Sequence, residues 1–238
     1  RLVSLRGTDV GDKYDTKEVL LSGFDDHDTH HAIAAFCVDA SGAIHMAEGV
    51  FLHSNVETVY GPVRGTNGGF FRYSARTKKL TRHARFSIAN PWGIAFDRYG
   101  QDFFLHSSGP SFSWMTPGTV KAVYGANLRA PSLLTSNSVR PTSGLEFVSS
   151  RHFPDEVQGD VLYNNSIGFL GAKQHQVIED GTGFTTKFRQ DLFTSKDLNF
   201  RPVDLEFAPD GSLYVVDWQN VLIGHMQHNA RDPHRDHA

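Results

Sequence analysis

The chain has 238 residues, of which 39% are hydrophobic and 21% charged, a composition that is typical of a folded globular protein and excludes a disordered one. Its formal net charge of −3 gives no reason to expect a nucleic-acid partner. No stretch is long and apolar enough to span a bilayer, so we expect no direct membrane insertion by this segment. Cys37 is the only cysteine, which excludes an internal disulfide.

A phrase made of an apolar residue, a polar turn closed by glycine and a second apolar run recurs along the chain. Three clear copies span 38–44, 96–103 and 207–214, and a looser copy begins at 144–147 and resumes at 159–163. An insertion around 151–154 separates the two halves of the looser copy. The copies recur roughly every 50 to 60 residues, and a repeat of this length built from strands indicates one propeller blade per copy.

The repeats predict an all-β chain folded as a β-propeller. No low-complexity linker divides the sequence, so 1–238 is expected to form a single β-propeller domain. Four recognisable copies indicate about four to five blades, and we expect this chain to be a fragment of a larger multidomain protein whose complete propeller has six.

The repeat register brings four candidate site residues to equivalent positions. Each lies a few residues before the first strand of its copy: His31, Asn90, Arg140 and Arg201. Equivalent loops of a propeller open on one face around its axis, so these side chains are expected to converge. An imidazole, an amide and two guanidiniums suit an anionic, carboxylate-bearing ligand.

Plainer interpretations exist for each of these residues taken singly. Asn90 and Arg201 each precede a proline and could simply begin turns. His31 ends a polar run, 26–31, in which a solvated histidine is the more common case. His53 and Glu57 are secondary candidates for the same face. The C-terminal pairs His225/His228 and His234/His237 could bind a metal, although a polar loop without one explains them equally well.

Three segments resemble the soluble quinoprotein glucose and sorbosone dehydrogenases. They are 31–49, 90–96 with the following Ser108-Gly109-Pro110, and 200–214. The ending 217–233 more closely resembles the propeller of large bacterial proteins called membrane-bound dehydrogenases. In those proteins a haem c domain commonly lies elsewhere in the polypeptide.

The resemblance implies a role for individual residues. His31 falls at the position of the catalytic general base, Asn90 at that of a quinone-contacting asparagine, and Arg201 near that of a cofactor-side arginine. Arg140 is taken as a further cofactor contact from the repeat register. Gly109 and Pro110 match a pair whose carbonyls bind calcium. Ala89 departs from the pattern, because an arginine usually stands there and its loss removes one cofactor contact.

The function implied is oxidation of a sugar or another alcohol with pyrroloquinoline quinone (PQQ) and calcium as cofactors. His31 would remove the hydroxyl proton, since an imidazole can accept a proton near neutral pH. Electrons would pass to the haem c domain outside this segment, so the expected partners are a small-molecule substrate and other domains of the same polypeptide. The resemblance also implies a periplasmic or otherwise extracytoplasmic bacterial location.

Two alternatives from other classes stay open. One is a non-catalytic propeller that binds a glycan or a protein partner, which the loss of an arginine at Ala89 favours. The other is a lactonase-type hydrolase, which needs a channel calcium held by carboxylates and amides. The residues expected at the channel are mostly histidine and arginine, and this weighs against the hydrolase.

Overall fold

The computed structural model describes residues 1–7, 14–28, 30–109, 111–116, 128 and 131–221. Contacts between Cα atoms divide the chain into two compact units. Unit 1 comprises Arg1–Ala89 with Lys121–Leu128, and unit 2 comprises Asn90–Val120 with Arg129–Ala238. The prediction of a single domain stays a prediction.

Unit 1 is built from antiparallel sheets whose neighbouring strands are mostly consecutive in the chain. Its strands are β1 (Leu2–Arg6), β2 (Thr16–Leu21), β3 (Ala34–Val38), β4 (Ile44–Glu48), β5 (Asn55–Val56), β6 (Val63–Arg64), β7 (Gly69–Ser74) and β8 (Lys79–Ala84). Strands β3, β4, β7 and β8 form one four-stranded sheet, while β1 pairs with β2 and β5 with β6. Side chains of β1 and β2 pack on β4, β7 and β8 around the buried Met46, Phe71 and Tyr73.

The described residues of unit 2 form three antiparallel sheets. They consist of β9 (Pro91–Phe96), β10 (Asp102–His106) and β11 (Ser111–Trp114); of β12 (Ser143–Phe147), β13 (Val161–Asn165), β14 (Gly171–Asp180) and β15 (Gly183–Thr194); and of β16 (Pro202–Phe207) and β17 (Leu213–Asp217). Phe103, Phe112 and Phe147 belong to the core between the first two sheets, and Leu162 and Leu205 to the core between the last two. Sheets that stack face to face in chain order are the arrangement expected of successive blades.

The recurring turn forms in all four copies with the same pair of backbone hydrogen bonds. In each copy the N–H of the first turn residue donates to a C=O across the turn, and its own C=O accepts from the glycine N–H. The first residue, the acceptor across the turn and the glycine are Asp39, Ala43 and Gly42; Asp97, Gln101 and Gly100; Val148, Asp160 and Gly159; and Ala208, Ser212 and Gly211. All four glycines have positive φ, between 78° and 87°, which explains why glycine closes every copy. The insertion in the looser copy holds a 3₁₀ helix, Asp155–Val157.

The first strands of successive sheets in unit 2 lie close together because glycine occupies the points of contact. A Cβ atom on Gly93 would come within 2.5 Å of Leu145 Cβ, and one on Gly144 within 2.9 Å of Asp204 Cα. Strands β9, β12 and β16 are therefore neighbours in one register, as the repeat alignment predicted. In the part of the chain that the structure describes, no helix is long and apolar enough to cross a membrane.

Candidate functional site

Three of the four predicted site residues occupy the same backbone position in their repeats. In each case the backbone C=O of a residue one to three positions before the first strand accepts a hydrogen bond from the N–H that directly follows the second strand. The donor–acceptor pairs are Gly49 with His31 at 2.8 Å, Ser107 with Asn90 at 2.9 Å, and Trp218 with Arg201 at 3.0 Å. Arg140 lies one residue before Pro141, whose C=O accepts instead from the side chain of Asn165 at 2.7 Å. The repeat register predicted from the sequence is thus reproduced in backbone bonding.

His31 lies in unit 1 at the centre of a histidine–aspartate cluster. Its Nδ1 is 3.0 Å from Asp28 Oδ2, and Nδ1 of His30 is 2.6 Å from Asp28 Oδ1. The His31 side chain is only 6% exposed and its ring packs on Phe51, with ring centroids 5.5 Å apart. Gly49 leaves room for the imidazole, since a Cβ there would come within 2.9 Å of His31 Cδ2. The cluster therefore places an imidazole beside a carboxylate at low solvent exposure.

A chain of hydrogen bonds that ends at a buried glutamate anchors the segment that leads into this cluster. Asp25 Oδ2 accepts from the His53 N–H at 2.7 Å, and the Asp25 N–H donates to Ser54 Oγ at 2.9 Å. Ser54 in turn donates to Glu48, whose side chain is fully buried. The backbone N–H of His53 lowers the pKa of Asp25, whereas burial raises the pKa of Glu48. These contacts tie the chain before Asp28 to the end of β4.

Unit 2 brings Asn90 and Arg140 to one residue, Ser108. The Asn90 amide donates to Ser108 Oγ, and Arg140 Nη1 donates to the Ser108 backbone C=O at 3.3 Å. Asn90 is half-buried and Arg140 is exposed, so both retain donor capacity toward a ligand. Gly109 directly follows Ser108, whereas Pro110 lies outside the described residues, and the predicted calcium contacts of this pair stay a prediction.

His106 belongs to the same cluster and was not predicted from the sequence. It ends β10; its Nδ1 accepts from the Ser108 N–H at 3.1 Å and its C=O accepts from Thr142 Oγ1 at 3.1 Å. Burial lowers the pKa of His106, so the neutral imidazole is the favoured form. The signal that could have identified it is the repeat itself, because His106 ends the second strand of its copy just as Glu48 does in unit 1.

Arg201 has a different environment from Asn90 and Arg140. Its guanidinium donates to the backbone carbonyls of Ser166 at 2.8 Å, Asn220 at 2.9 Å and Val221 at 3.4 Å, and the residue is 8% exposed. All three guanidinium nitrogens are used within unit 2. This bonding favours a structural role, and the cofactor contact predicted for Arg201 gains no support from it.

Carboxylates on β12 and β16 form a further cluster that the sequence argument missed. Glu146 shares a hydrogen bond with Glu206, and Asp204 lies close enough to act on both electrostatically. Burial raises the pKa of Glu146 to about 8, with the charges of Glu206 and Asp204 acting in the same direction. Some 60 residues separate the two glutamates, so only the pairing of blades could reveal the cluster.

The remaining predictions concern residues in both units or beyond the described ranges. His31 belongs to unit 1 while Asn90, Arg140 and Arg201 belong to unit 2, and their convergence stays a prediction. His225, His228, His234 and His237 lie outside the described residues.

Comparison with solved structures identifies the fold as a β-propeller. A luciferin-regenerating enzyme matches with a TM-score of 0.56 and 13% identity over 94% of this chain and 66% of the other. A glucose dehydrogenase matches with a TM-score of 0.54 and 13% identity over 90% and 68%. A soluble aldose sugar dehydrogenase from Escherichia coli, in its apo-form, gives 0.48 and 16% over 79% and 60%. The chain spans 60% to 68% of the length of these three proteins.

The family follows from the sequence itself. Residues 1–133 and 116–238 match the profile described as a domain of unknown function, DUF7133. The chain therefore belongs to the DUF7133 family. No curated protein matches it in sequence. The all-β propeller predicted from the repeats is confirmed, and sugar dehydrogenases are among the proteins that share this fold.

Proposed function

We propose that this propeller is a quinoprotein-like dehydrogenase that oxidises a hydroxyl group of a sugar or another alcohol. The observation that carries the proposal is the shared backbone position of His31 and Asn90, the two residues that match the base and a quinone contact of that family. The proposal includes the predicted bacterial periplasmic location. It also includes electron transfer to a haem c domain elsewhere in the same polypeptide.

His31 is the proposed general base. Oxidation of an alcohol removes a proton from oxygen and a hydride from carbon, and a positioned imidazole can take the proton. Asp28 Oδ2, 3.0 Å from His31 Nδ1, stabilises the positive charge that the ring gains in this step. The low exposure of His31 strengthens that attraction, because little water screens it. Phe51 and Gly49 fix the ring plane, which keeps the base in one orientation.

The residues of unit 2 fit an anionic quinone in part. Asn90 and Arg140 offer an amide and a guanidinium, and both would donate to carboxylate or carbonyl oxygens of PQQ. Arg201 is occupied by backbone carbonyls, and Ala89 offers no charge, so two of the family contacts are missing. When bound, the quinone would supply the acceptor for the hydride, with calcium as the second proposed cofactor.

Dye-coupled oxidation over a panel of sugars and simple alcohols tests the proposal. The protein is supplied with PQQ and calcium, and reduction of an artificial electron acceptor is followed spectroscopically. We expect turnover with at least one aldose that disappears when PQQ or calcium is left out. No turnover with any substrate, although PQQ binds, would contradict a dehydrogenase function.

The bonding of Arg201 and the alanine at position 89 favour one second candidate. With fewer cofactor contacts, the same face could bind a glycan or a protein partner without catalysis, using Asn90 and Arg140 for an acidic group. Two observables distinguish the two functions. A binding propeller retains an acidic oligosaccharide on an array in the absence of PQQ, and it reduces no dye.

A further inference from the structure

The cluster of Asp28, His30 and His31 has a composition that the proposed base does not need. A general base requires one imidazole and at most one carboxylate, yet two imidazoles face the two oxygens of a single carboxylate here. The histidine rings lie 4.0 Å apart between centroids, and their planes differ by 36°. One donor atom from each of the three residues lies within 4.8 Å of the other two.

The Nδ1 atom of His31 is buried without a hydrogen bond. It approaches Asp28 Oδ2 to 3.0 Å, but the direction of approach is not that of an N–H···O bond. A buried ring nitrogen without a partner costs free energy, and native structures rarely leave one unsatisfied. A cation bound between this ring nitrogen and the adjacent carboxylate oxygen would satisfy both atoms.

The spacing of the donor atoms agrees with a metal coordination shell. Nitrogen and oxygen ligands at about 2.0–2.2 Å from a tetrahedral zinc ion lie about 3.3 Å from one another. The two histidine nitrogens lie 2.6 and 3.0 Å from the two oxygens of Asp28, slightly closer than this value, and the three ligand atoms all lie within 4.8 Å of one another.

We propose that Asp28, His30 and His31 form a binding site for a divalent first-row transition metal such as zinc. Imidazole nitrogen with one carboxylate is a ligand set suited to zinc, copper, nickel or iron, whereas calcium and magnesium prefer oxygen ligands. The side chains of Asp28 and His30 are 26% and 38% exposed, so the ion can enter from solvent and keep a water ligand. Three protein ligands with one open position describe a reactive or regulatory metal rather than a closed structural one.

This site goes beyond the proposed dehydrogenase and does not depend on it. A metal on Nδ1 of His31 leaves the ring proton on Nε2, so the metal-bound ring cannot act as the base. If both proposals hold, zinc inhibits the dehydrogenase by occupying its base. Binding can be measured without quinone or sugar, so failure of either proposal leaves the other standing.

Titration of the metal-free protein with Zn²⁺ by calorimetry tests the site, with Co²⁺ absorption in the visible range as a second probe. The test variants are Asp28→Asn and His30→Ala, and His27→Ala is the control, because that exposed histidine lies in the same loop outside the cluster. We expect one bound equivalent to be lost, or weakened at least about tenfold, in both test variants and retained in the control. Histidines elsewhere add the same background to all four proteins.

Thermal unfolding keeps the test valid if a variant folds poorly. Zinc that binds only the folded state raises Tm, so the wild type and His27→Ala should gain stability on addition of Zn²⁺ while Asp28→Asn should not. Equal zinc stoichiometry, affinity and Tm gain in all four proteins would overturn the proposal.

Discussion

Units 1 and 2 use one backbone device to present two different chemistries. In both, a carbonyl just before the first strand of a repeat is held by the N–H after the second strand, and this fixes where the side chain begins. In unit 1 that residue is His31, packed beside Asp28; in unit 2 it is Asn90, bonded to Ser108. A third copy uses the position for Arg201, whose guanidinium donates to three backbone carbonyls among the described residues. The repeat sets the position, and the neighbouring loops decide whether the residue serves a ligand or the fold.

Replacing His31 removes the proposed general base and should have the largest effect on activity. If His31 is the base, His31→Ala lowers kcat by about 100- to 10,000-fold while leaving KM and PQQ affinity nearly unchanged. The assay is dye-coupled oxidation of the best substrate. His27→Ala is the matched control, since His27 is exposed and lies in the same loop outside the cluster. A kcat of His31→Ala within threefold of the wild-type value would show that His31 is not the general base.

Replacing Arg201 and Arg140 in turn distinguishes an arginine that stabilises the fold from one that is available to a ligand. Arg201→Ala leaves three carbonyls without their donor, so the free energy of unfolding should fall by roughly 2–3 kcal/mol. Arg140→Ala removes one exposed contact and should cost less than about 0.5 kcal/mol. Urea unfolding followed by fluorescence measures both. Equal losses in the two variants would mean that burial does not distinguish their roles.

Two glycines with positive φ test how closely the first strands of unit 2 pack. Gly144→Ala and Gly159→Ala meet a similar backbone strain, at φ values of 58° and 78°. Only the methyl group at Gly144 would also meet backbone, 2.9 Å from Asp204 Cα, whereas nothing lies within 4 Å at Gly159. Gly144→Ala should therefore destabilise the protein by about 1–2 kcal/mol more than Gly159→Ala, measured by urea unfolding. Equal destabilisation would show that β12 and β16 can separate at no cost.

Glu146 gives a smaller effect that depends on pH. Its pKa of about 8 in the folded protein lies above the 4.5 of an ordinary glutamate. Between pH 4.5 and 8 the folded protein therefore keeps a proton on Glu146 that the unfolded chain releases. The stability that this group contributes is complete below pH 4.5 and is lost as the pH rises through 8.

Glu146→Gln replaces the protonated carboxyl by an amide, which also donates a hydrogen bond but cannot ionise. The variant therefore isolates the effect of that proton. We expect its Tm to equal the wild-type Tm at pH 4.5 and to exceed it by roughly 2–4 °C at pH 9. Calorimetric scans at both pH values give the comparison, with Glu156→Gln as an exposed control. A constant difference between variant and wild type at both pH values would contradict a proton held by Glu146.

The sequence predicted the features of this fold that depend on local chemistry. Each repeat turn requires a glycine with positive φ, and Asp39 and Asp97 each accept backbone hydrogen bonds within their own turns, so the copies can be recognised from the residues alone. The register of His31, Asn90 and Arg201 followed from that alignment.

The partners of those residues could not be predicted in the same way. Arg201 bonds to Ser166, 35 residues away, and Glu146 pairs with Glu206 on another sheet. Such contacts depend on loop paths and on which side of a strand faces the next blade. The insertion in the looser copy also obscured its period, so the sequence did not predict the cluster of carboxylates on β12 and β16. The argument that the sequence raised against a hydrolase, a shortage of carboxylates, was therefore made without this cluster.

Calorimetric titration of PQQ into the protein, with calcium present, tests whether Asn90 and Arg140 bind a quinone. The wild type and the double variant Asn90→Ala/Arg140→Ala are compared, with His31→Ala as a third sample. We expect saturable binding to the wild type and to His31→Ala, and a loss of at least about tenfold in affinity in the double variant. No binding to the wild type, or binding that the double variant leaves unchanged, would contradict the assignment of Asn90 and Arg140 to a quinone.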